Sequence, residues 1–343
     1  MAYTVRMSTT PFDDPPFAFG VYPGGEAGSD DGVVAGRPDE PERVEAALRE
    51  LQGPTAPFVV RAYDRFSDAA APSPYRATSP LAYERYAREG RRLDLVLLFQ
   101  SATGDIDGFL DFVRERVRRH ASLLYAVQVT EEANFAAGPD AIDGPYPRVR
   151  EALVRGVIAA REELDRLGSA APAGFSVTPT FGDAASFWPA IGALGGPPFL
   201  DALGYVALDF FPDVFRPAAP DGEPGDVRGS ALHVLRSMRE DWLPAAGIGP
   251  RVPIHVGEHG WPTGEGRPYD RQARVVEAVV RVVHQSRRAL NLARYTAFAL
   301  RDANSASRGE GDFWHQFGLL RDDYSPKPAF EAYRRLVAAL GPR

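Results

Sequence analysis

The sequence predicts a single (β/α)8 TIM barrel, residues 1–343 forming one domain with 1–16 as an N-terminal extension. Three observations predict it. Short apolar runs rich in Val, Leu and Phe alternate along the chain with longer segments of helical spacing. Eight such runs occur in 343 residues, a length that suits one large α/β barrel with decorated loops. The rival, a doubly wound sheet, lacks its marker: the first βα turn reads Tyr22-Pro23-Gly24-Gly25-Glu26 instead of G-x-G-x-x-G, and no P-loop motif is present.

Taken in order, strand one is expected over 17–22 (Phe-Ala-Phe-Gly-Val-Tyr), with a helix over 41–52. Strand two spans 57–63, and strand three, 94–99 (Asp-Leu-Val-Leu-Leu-Phe), leads into a helix over 106–119. Strand four, 123–130, precedes a helix over 147–167, and strands five (174–180) and six (203–210) precede one over 227–242. Strand seven, 252–258, is followed by a helix over 271–289, and strand eight, 294–300, by one over 328–340. That last helix is introduced by Ser-Pro-Lys-Pro and stopped at Gly341, a start and a stop signal in the right order. Parallel barrel strands are buried on both faces, which explains runs that are nearly continuous in apolar character. The 33 Gly and 31 Pro cluster in loops such as 212–225 and 257–268, after strands six and seven, on the face where barrel enzymes carry their sites.

Composition removes several classes of function. A formal net charge of −7, at a pI near 5.5, argues against a nucleic-acid partner, which would need a basic face. The absence of cysteine excludes disulfides, thiolate zinc sites, iron–sulfur clusters and cysteine nucleophiles. Any metal site would have to be built from carboxylates and histidine, yet the six histidines form no H-E-x-x-H or other dense metal spacing. A serine-hydrolase reading fails for want of G-x-S-x-G. No apolar run is long enough to cross a bilayer, and the N-terminus lacks the apolar core of a signal peptide. The expectation is a cytoplasmic monomer, free of cofactor, with neither nucleic acid nor membrane as partner.

In a barrel, function is read from polar residues at the C-terminal ends of strands. Strand seven ends Val256-Gly257-Glu258-His259-Gly260-Trp261-Pro262-Thr263, and strand four ends Thr130-Glu131-Glu132-Ala133-Asn134. Period two puts Ile254, Val256 and Glu258 on one face of strand seven, and Gln128, Thr130 and Glu132 on one face of strand four. Two glutamates facing each other across the mouth suit glycoside hydrolysis, in which one carboxylic acid protonates the leaving oxygen and one carboxylate attacks the anomeric carbon. By the same count His255 lies opposite Glu258 and is expected against the outer helices, while His259 and His315 flank the site loops.

These residues resemble the retaining clan A glycoside hydrolases. Glu131-Glu132-Ala133-Asn134 is similar to that clan's Asn-Glu-Pro-Asn signature, and Glu258-His-Gly-Trp-Pro-Thr resembles its nucleophile strand, most of all in the β-1,3-glucanase-like and related families. Phe19-Gly20-Val21, Arg61-Ala62-Tyr63 and the stretch from Phe317 to Tyr333 extend the likeness over nearly the whole chain. The resemblance implies Glu132 as acid/base, Glu258 as nucleophile and Arg61 as the barrel arginine that steadies the nucleophile's charge. Around them, Tyr63, Glu131, Asn134, Asp209, Phe211, His259, Trp261, Asp302 and Trp314 are the expected substrate-binding residues.

Two departures stand out. Glu131 occupies the place of the family's asparagine, and a second carboxylate there raises the proton affinity of Glu132. Phe211 stands where such families often place a tyrosine that hydrogen-bonds the nucleophile. Either the site tolerates that loss, or Tyr205, Tyr269 or another donor replaces it, or hydrolysis is not the job. Trp242 is expected in the core and Trp261 and Trp314 in the cleft, while Arg301 and Asp302 are either a functional rim or a structural pair. Three readings follow: a metal-free retaining O-glycoside hydrolase acting on a β-linked carbohydrate or glycoside; a non-hydrolytic carbohydrate-binding relative; and a divalent-metal lyase or isomerase using Glu132, Asp209, Glu258 and Asp302.

Overall fold

A computed structural model describes residues 17–29, 32–68, 77–138, 141–179, 186–214, 226–307 and 312–342; the expected N-terminal extension lies outside them. The eight barrel strands are β1 (Ala18–Val21), β2 (Phe58–Phe66), β3 (Arg91–Phe99), β4 (Leu124–Val129), β5 (Ala173–Val177), β6 (Tyr205–Asp209), β7 (Ile254–His259) and β8 (Leu292–Ala297). Each pairs in parallel with its neighbours, and β1 pairs with both β8 and β2, so the sheet closes as the sequence predicts. An antiparallel hairpin, Glu26–Ser29 with Gly32–Ala35, follows β1, and the short strand Thr78–Ser79 pairs with the end of β2.

Among the described residues the longer helices are α1 (Pro41–Gln52), α2 (Ile106–His120), α3 (Val149–Arg166), α4 (Phe187–Ala202), α5 (Val227–Ser237), α6 (Tyr269–Leu290) and α7 (Pro328–Leu340). Pro41 and Pro328 open their helices at the first turn, where the missing N–H costs nothing. Asp105 and Asp226 cap α2 and α5 by accepting from the amides of Gly108 and Gly229. Among the described residues between β2 and β3 the helical element is a 3-10 turn, Tyr83–Arg85, and α4 was not among the expected helices. Its Gly-Gly-Pro-Pro centre, with Gly196 at a non-helical φ of 54°, hides the period from sequence.

The strands are not apolar on both faces. Residues such as Phe19, Val60, Leu95, Val127, Phe175, Leu208 and Val256 face the helices and join the main hydrophobic core. Their alternates, Arg61, Asp94, Gln128, Ser176, Asp209 and Arg294, fill the barrel interior and are buried to 0% exposure. Asp94 bridges Arg61 Nη1 and Arg294 Nη1, each at 2.8 Å. Burial alone would raise Asp94, but Arg294 and Arg61 hold it below the usual carboxylate range.

This interior corrects the expected facing of strand seven. Ile254 and Val256 belong to the outer core, and His255 points inward, stacked on Tyr205 at 4.2 Å. Burial, reinforced by Arg294, drives His255 well below its ordinary pKa.

Candidate active site

Glu258 reaches the barrel mouth through a bulge. Period two would leave it with Ile254 and Val256 on the helix side, but the register against β6 steps from Val256–Leu208 to Glu258–Asp209, with Gly257 as the extra residue. A Cβ at Gly257 would lie 2.4 Å from Asp209 Oδ1, so a side chain there would crowd the Asp209 carboxyl that the bulge closes over. Strand four is broken in the same region. Thr130 (φ 66°) and Glu132 (φ 45°) are left-handed, which turns Glu131 inward beside Gln128.

Arg61 organises what results. Its Nη1 donates to Gln128 Oε1 at 2.9 Å, its Nη2 to both carboxylate oxygens of Glu131 at 3.2 and 3.1 Å, and its Nε to the Tyr63 hydroxyl at 2.9 Å. Nε also lies 3.4 Å from Glu258 Oε1, and Nη2 lies 4.0 Å from Asp209 Oδ1. Tyr63 donates its phenolic hydrogen to Glu258 Oε1. The missing tyrosine at Phe211 is therefore answered from β2, by neither Tyr205 nor Tyr269.

The two adjacent glutamates differ in surroundings. Glu131 is buried and receives Arg61, Gln128 Nε2 and, at 3.4 Å, the Ser176 hydroxyl. Burial raises its proton affinity and Arg61 is the main influence against it. Glu132 is partly exposed, its amide held by Ser176 Oγ at 3.1 Å, and its carboxyl makes no hydrogen bond to any described residue. Burial first, then Asp209 and Glu258, push Glu132 well above the usual range. Asp143, on the loop after β4, accepts the amides of Phe99 and Glu131 on Oδ2, each at 2.8 Å, tying the end of β3 to the glutamate pair.

Several expected binding residues lie elsewhere. His259 is buried on the helix side, its Nδ1 2.6 Å from the Tyr295 hydroxyl, and burial lowers it to about 3; alternation past the bulge takes it out of the cleft. Asp302 is buried against Lys327 Nζ at 2.7 Å, Ser305 Oγ at 2.8 Å and the Gly318 amide at 2.8 Å, so it is a structural carboxylate. Its neighbour Arg301 binds Asp39 at 2.8 Å, so the two residues anchor separate loops. Asn134 spends both ends of its amide on the backbone of Thr178, at 2.8 and 3.0 Å, and latches the β4 loop to β5. Trp261 is 4% exposed, with the Arg267 guanidinium 4.1 Å above its ring, so it offers no open platform. Trp242 stacks on Trp188 in the core, as expected.

Trp314 is half-buried at 6.1 Å from Phe317 and ends a run of aromatic rings that sequence reading missed. From Tyr63 it passes to Tyr22 at 5.0 Å, to Phe298 at 5.3 Å and to Phe317 at 5.7 Å, with Phe211 edge-on to both phenylalanines. Tyr63 lies on β2 and the others follow β1, β6 and β8, so only closure of the barrel gathers them. The four carboxyls considered for a divalent metal do not form one set, since Asp302 is committed to Lys327. Among the described residues, no group of three or more His, Asp or Glu is arranged to hold a metal.

No family model matches the chain, and no curated protein matches it. Solved structures do. A family 39 glycoside hydrolase from Bacteroides cellulosilyticus WH2 has a TM-score of 0.56 at 13% identity, over 95% of this chain and 64% of its own. A GH5_18 protein from Bifidobacterium longum subsp. infantis has a TM-score of 0.62 at 12% identity, over 96% of this chain and 80% of its own. A β-glucuronidase from Ruminococcus gnavus has a TM-score of 0.54 at 13% identity, over 94% of this chain and 49% of its own. The chain thus spans about half to two thirds of the length of most of these proteins, and what it shares with the barrels of glycoside hydrolases at this identity is the fold.

Proposed function

We propose that the protein is a retaining O-glycoside hydrolase acting on a β-linked carbohydrate or glycoside, with Glu258 as nucleophile and Glu132 as acid/base. One observation carries this reading. Tyr63 and Arg61 both engage Glu258 through Oε1, leaving Oε2 to attack an anomeric carbon, while Glu132 across the mouth keeps a free carboxyl with high proton affinity. Glu131, held by Arg61 and Gln128, is unsuited to give a proton to a leaving group and serves to fix the pair. Of the aromatic run, the part-exposed Phe211, Phe298 and Trp314 supply apolar surface for a sugar ring. That neighbours of similar fold include a β-glucuronidase and a β-galacturonidase supports a β-linkage.

The test is rescue chemistry on an activated aryl β-glycoside. Glu258→Ala is expected to lose turnover and to regain it with azide, whereas Glu132→Ala keeps glycosylation and loses the second step, where Glu132 acts as base toward water. Glu131→Gln and the double variant, run in the same series, show whether Glu131 substitutes. A Glu258 variant as fast as the parent removes the assignment, as does a crystallographic Glu132–Glu258 carboxyl separation beyond about 9 Å in place of about 5 to 5.5 Å. A parent that binds sugars and turns over no β-glycoside is instead the non-hydrolytic relative.

A further inference from the structure

Double displacement needs two carboxyl groups, and the mouth of this barrel holds more. Asp209, at the end of β6, is 0% exposed. It is faced by Ser176 from β5, Glu258 from β7, Arg61 from β2, Glu131 and Glu132 beyond β4, and Asp94 from β3, which carries Arg294 of β8. Neither of its oxygens takes a well-formed hydrogen bond. The nearest guanidinium nitrogen, Arg61 Nη2 at 4.0 Å, already donates to Glu131, and the Ser176 hydroxyl, which eases charge on Asp209, also lies 3.4 Å from Glu131. The bare Gly257 leaves just the room that Oδ1 occupies. A buried carboxylate with neither cation nor donor to itself is costly, and keeping its proton is the way to avoid that cost.

Resting on the glycosidase reading, we propose that Asp209 is a positioning residue: a neutral carboxylic acid in the resting site, whose ionisation strengthens the hold of Glu132 on its proton. Burial, opposed by Arg61 and helped by Glu258, pushes Asp209 up to about 7, within the range where an acid/base group works. Above that pH the new charge on Asp209 faces Glu132 and delays its deprotonation. Below it, Asp209 is as uncharged as an asparagine.

The sign of the effect gives the test. In Asp209→Asn, the alkaline limb of the kcat/KM–pH profile on an aryl β-glycoside should move to lower pH by about one unit, with the acid limb in place. Both limbs moving down together would mean a carboxylate charged at all working pH values, and an unmoved profile would mean no coupling; either overturns the proposal. A second measurement needs no substrate. The infrared carboxylic-acid band of the parent should diminish between about pH 5 and pH 8, and that part should be missing in Asp209→Asn, or in Asp209→Ser should the first variant not fold. If the variant loses no such band, Asp209 is not protonated and the proposal fails whatever the activity. If the band is lost as expected but the parent hydrolyses no β-glycoside, the hydrolase reading fails and takes the positioning role with it, leaving only the protonated Asp209.

Discussion

Tyr63 performs two tasks through one oxygen, accepting from Arg61 Nε and donating to Glu258 Oε1. Burial raises its proton affinity well beyond that of a free phenol, so the hydroxyl keeps its hydrogen and remains a donor. Removing it leaves Oε1, among the described residues, with the 3.4 Å contact to Arg61. Tyr63→Phe should therefore lower kcat on an aryl β-glycoside by about 10²-fold, comparable to deleting one preorganised donor, at a stability cost of about 1–3 kcal/mol for the buried groups left unpaired. Steady-state kinetics beside a denaturant titration checks both, and a loss confined to stability would make Tyr63 a packing residue. The sequence places Tyr63 among the binding residues and offers Tyr205, Tyr269 or another donor in place of the tyrosine missing at Phe211, because only the folded barrel shows that β2 reaches Glu258.

At the scale of the element, the ends of β4 and β7 both abandon strict alternation, and each does so next to a glutamate. The β7 bulge turns on Gly257, whose substitution by alanine would place a methyl carbon 2.4 Å from Asp209 Oδ1. Asp209 is fully buried and Ala207 Cβ lies 3.2 Å from the same point, so relief requires the Asp209 carboxyl to turn or the two strands to shift. Gly257→Ala should lower stability by about 1–3 kcal/mol and reduce kcat along with it, because Glu258 follows the displaced backbone. Thermal unfolding and kinetics measured together decide the matter; a variant matching the parent in both would show that the bulge has slack. The bulge also explains why counting by two reached the right rim through the wrong face. Glu258 is at the mouth, but Ile254 and Val256 are not its companions there.

For the whole molecule, buried titratable groups give folding a pH dependence of two opposite slopes. Burial, against two amide hydrogen bonds, pushes Asp143 from its ordinary 3.8 to about 7. Its folded pKa is raised, so from about pH 4 to 7 the native state keeps a proton that the unfolded chain has released, and stability falls as pH rises through that window. His259 slopes the other way: burial lowers it from 6.5 to about 3, and stability falls as pH drops between those values. An asparagine at 143 cannot titrate but can still accept the two amides. Relative to the parent, Asp143→Asn should gain up to about 4 kcal/mol between pH 4 and 7 and change no further above it. Chemical denaturation at several pH values reads this directly; a difference flat across the window would mean that Asp143 does not titrate there.

What the sequence determined by itself is local and periodic. Eight apolar runs alternating with helical spacing were enough to specify the closed barrel, because an apolar face must be buried wherever it occurs. Glu132 and Glu258 were legible as candidates because strand ends are where a barrel presents polar groups. The tertiary structure decided which carboxyls have partners. Asp302 meets Lys327, Glu131 meets Arg61, Asn134 meets Thr178 and Tyr63 meets Glu258 only once segments distant in the chain are brought within 3–4 Å. Hydrogen bonds and burial act over a few ångströms of space and are blind to separation along the chain, so no period in the sequence records them. The same holds for the inward turn of His255 and the outward turn of His259, since one extra residue at Gly257 reverses every later side chain of β7.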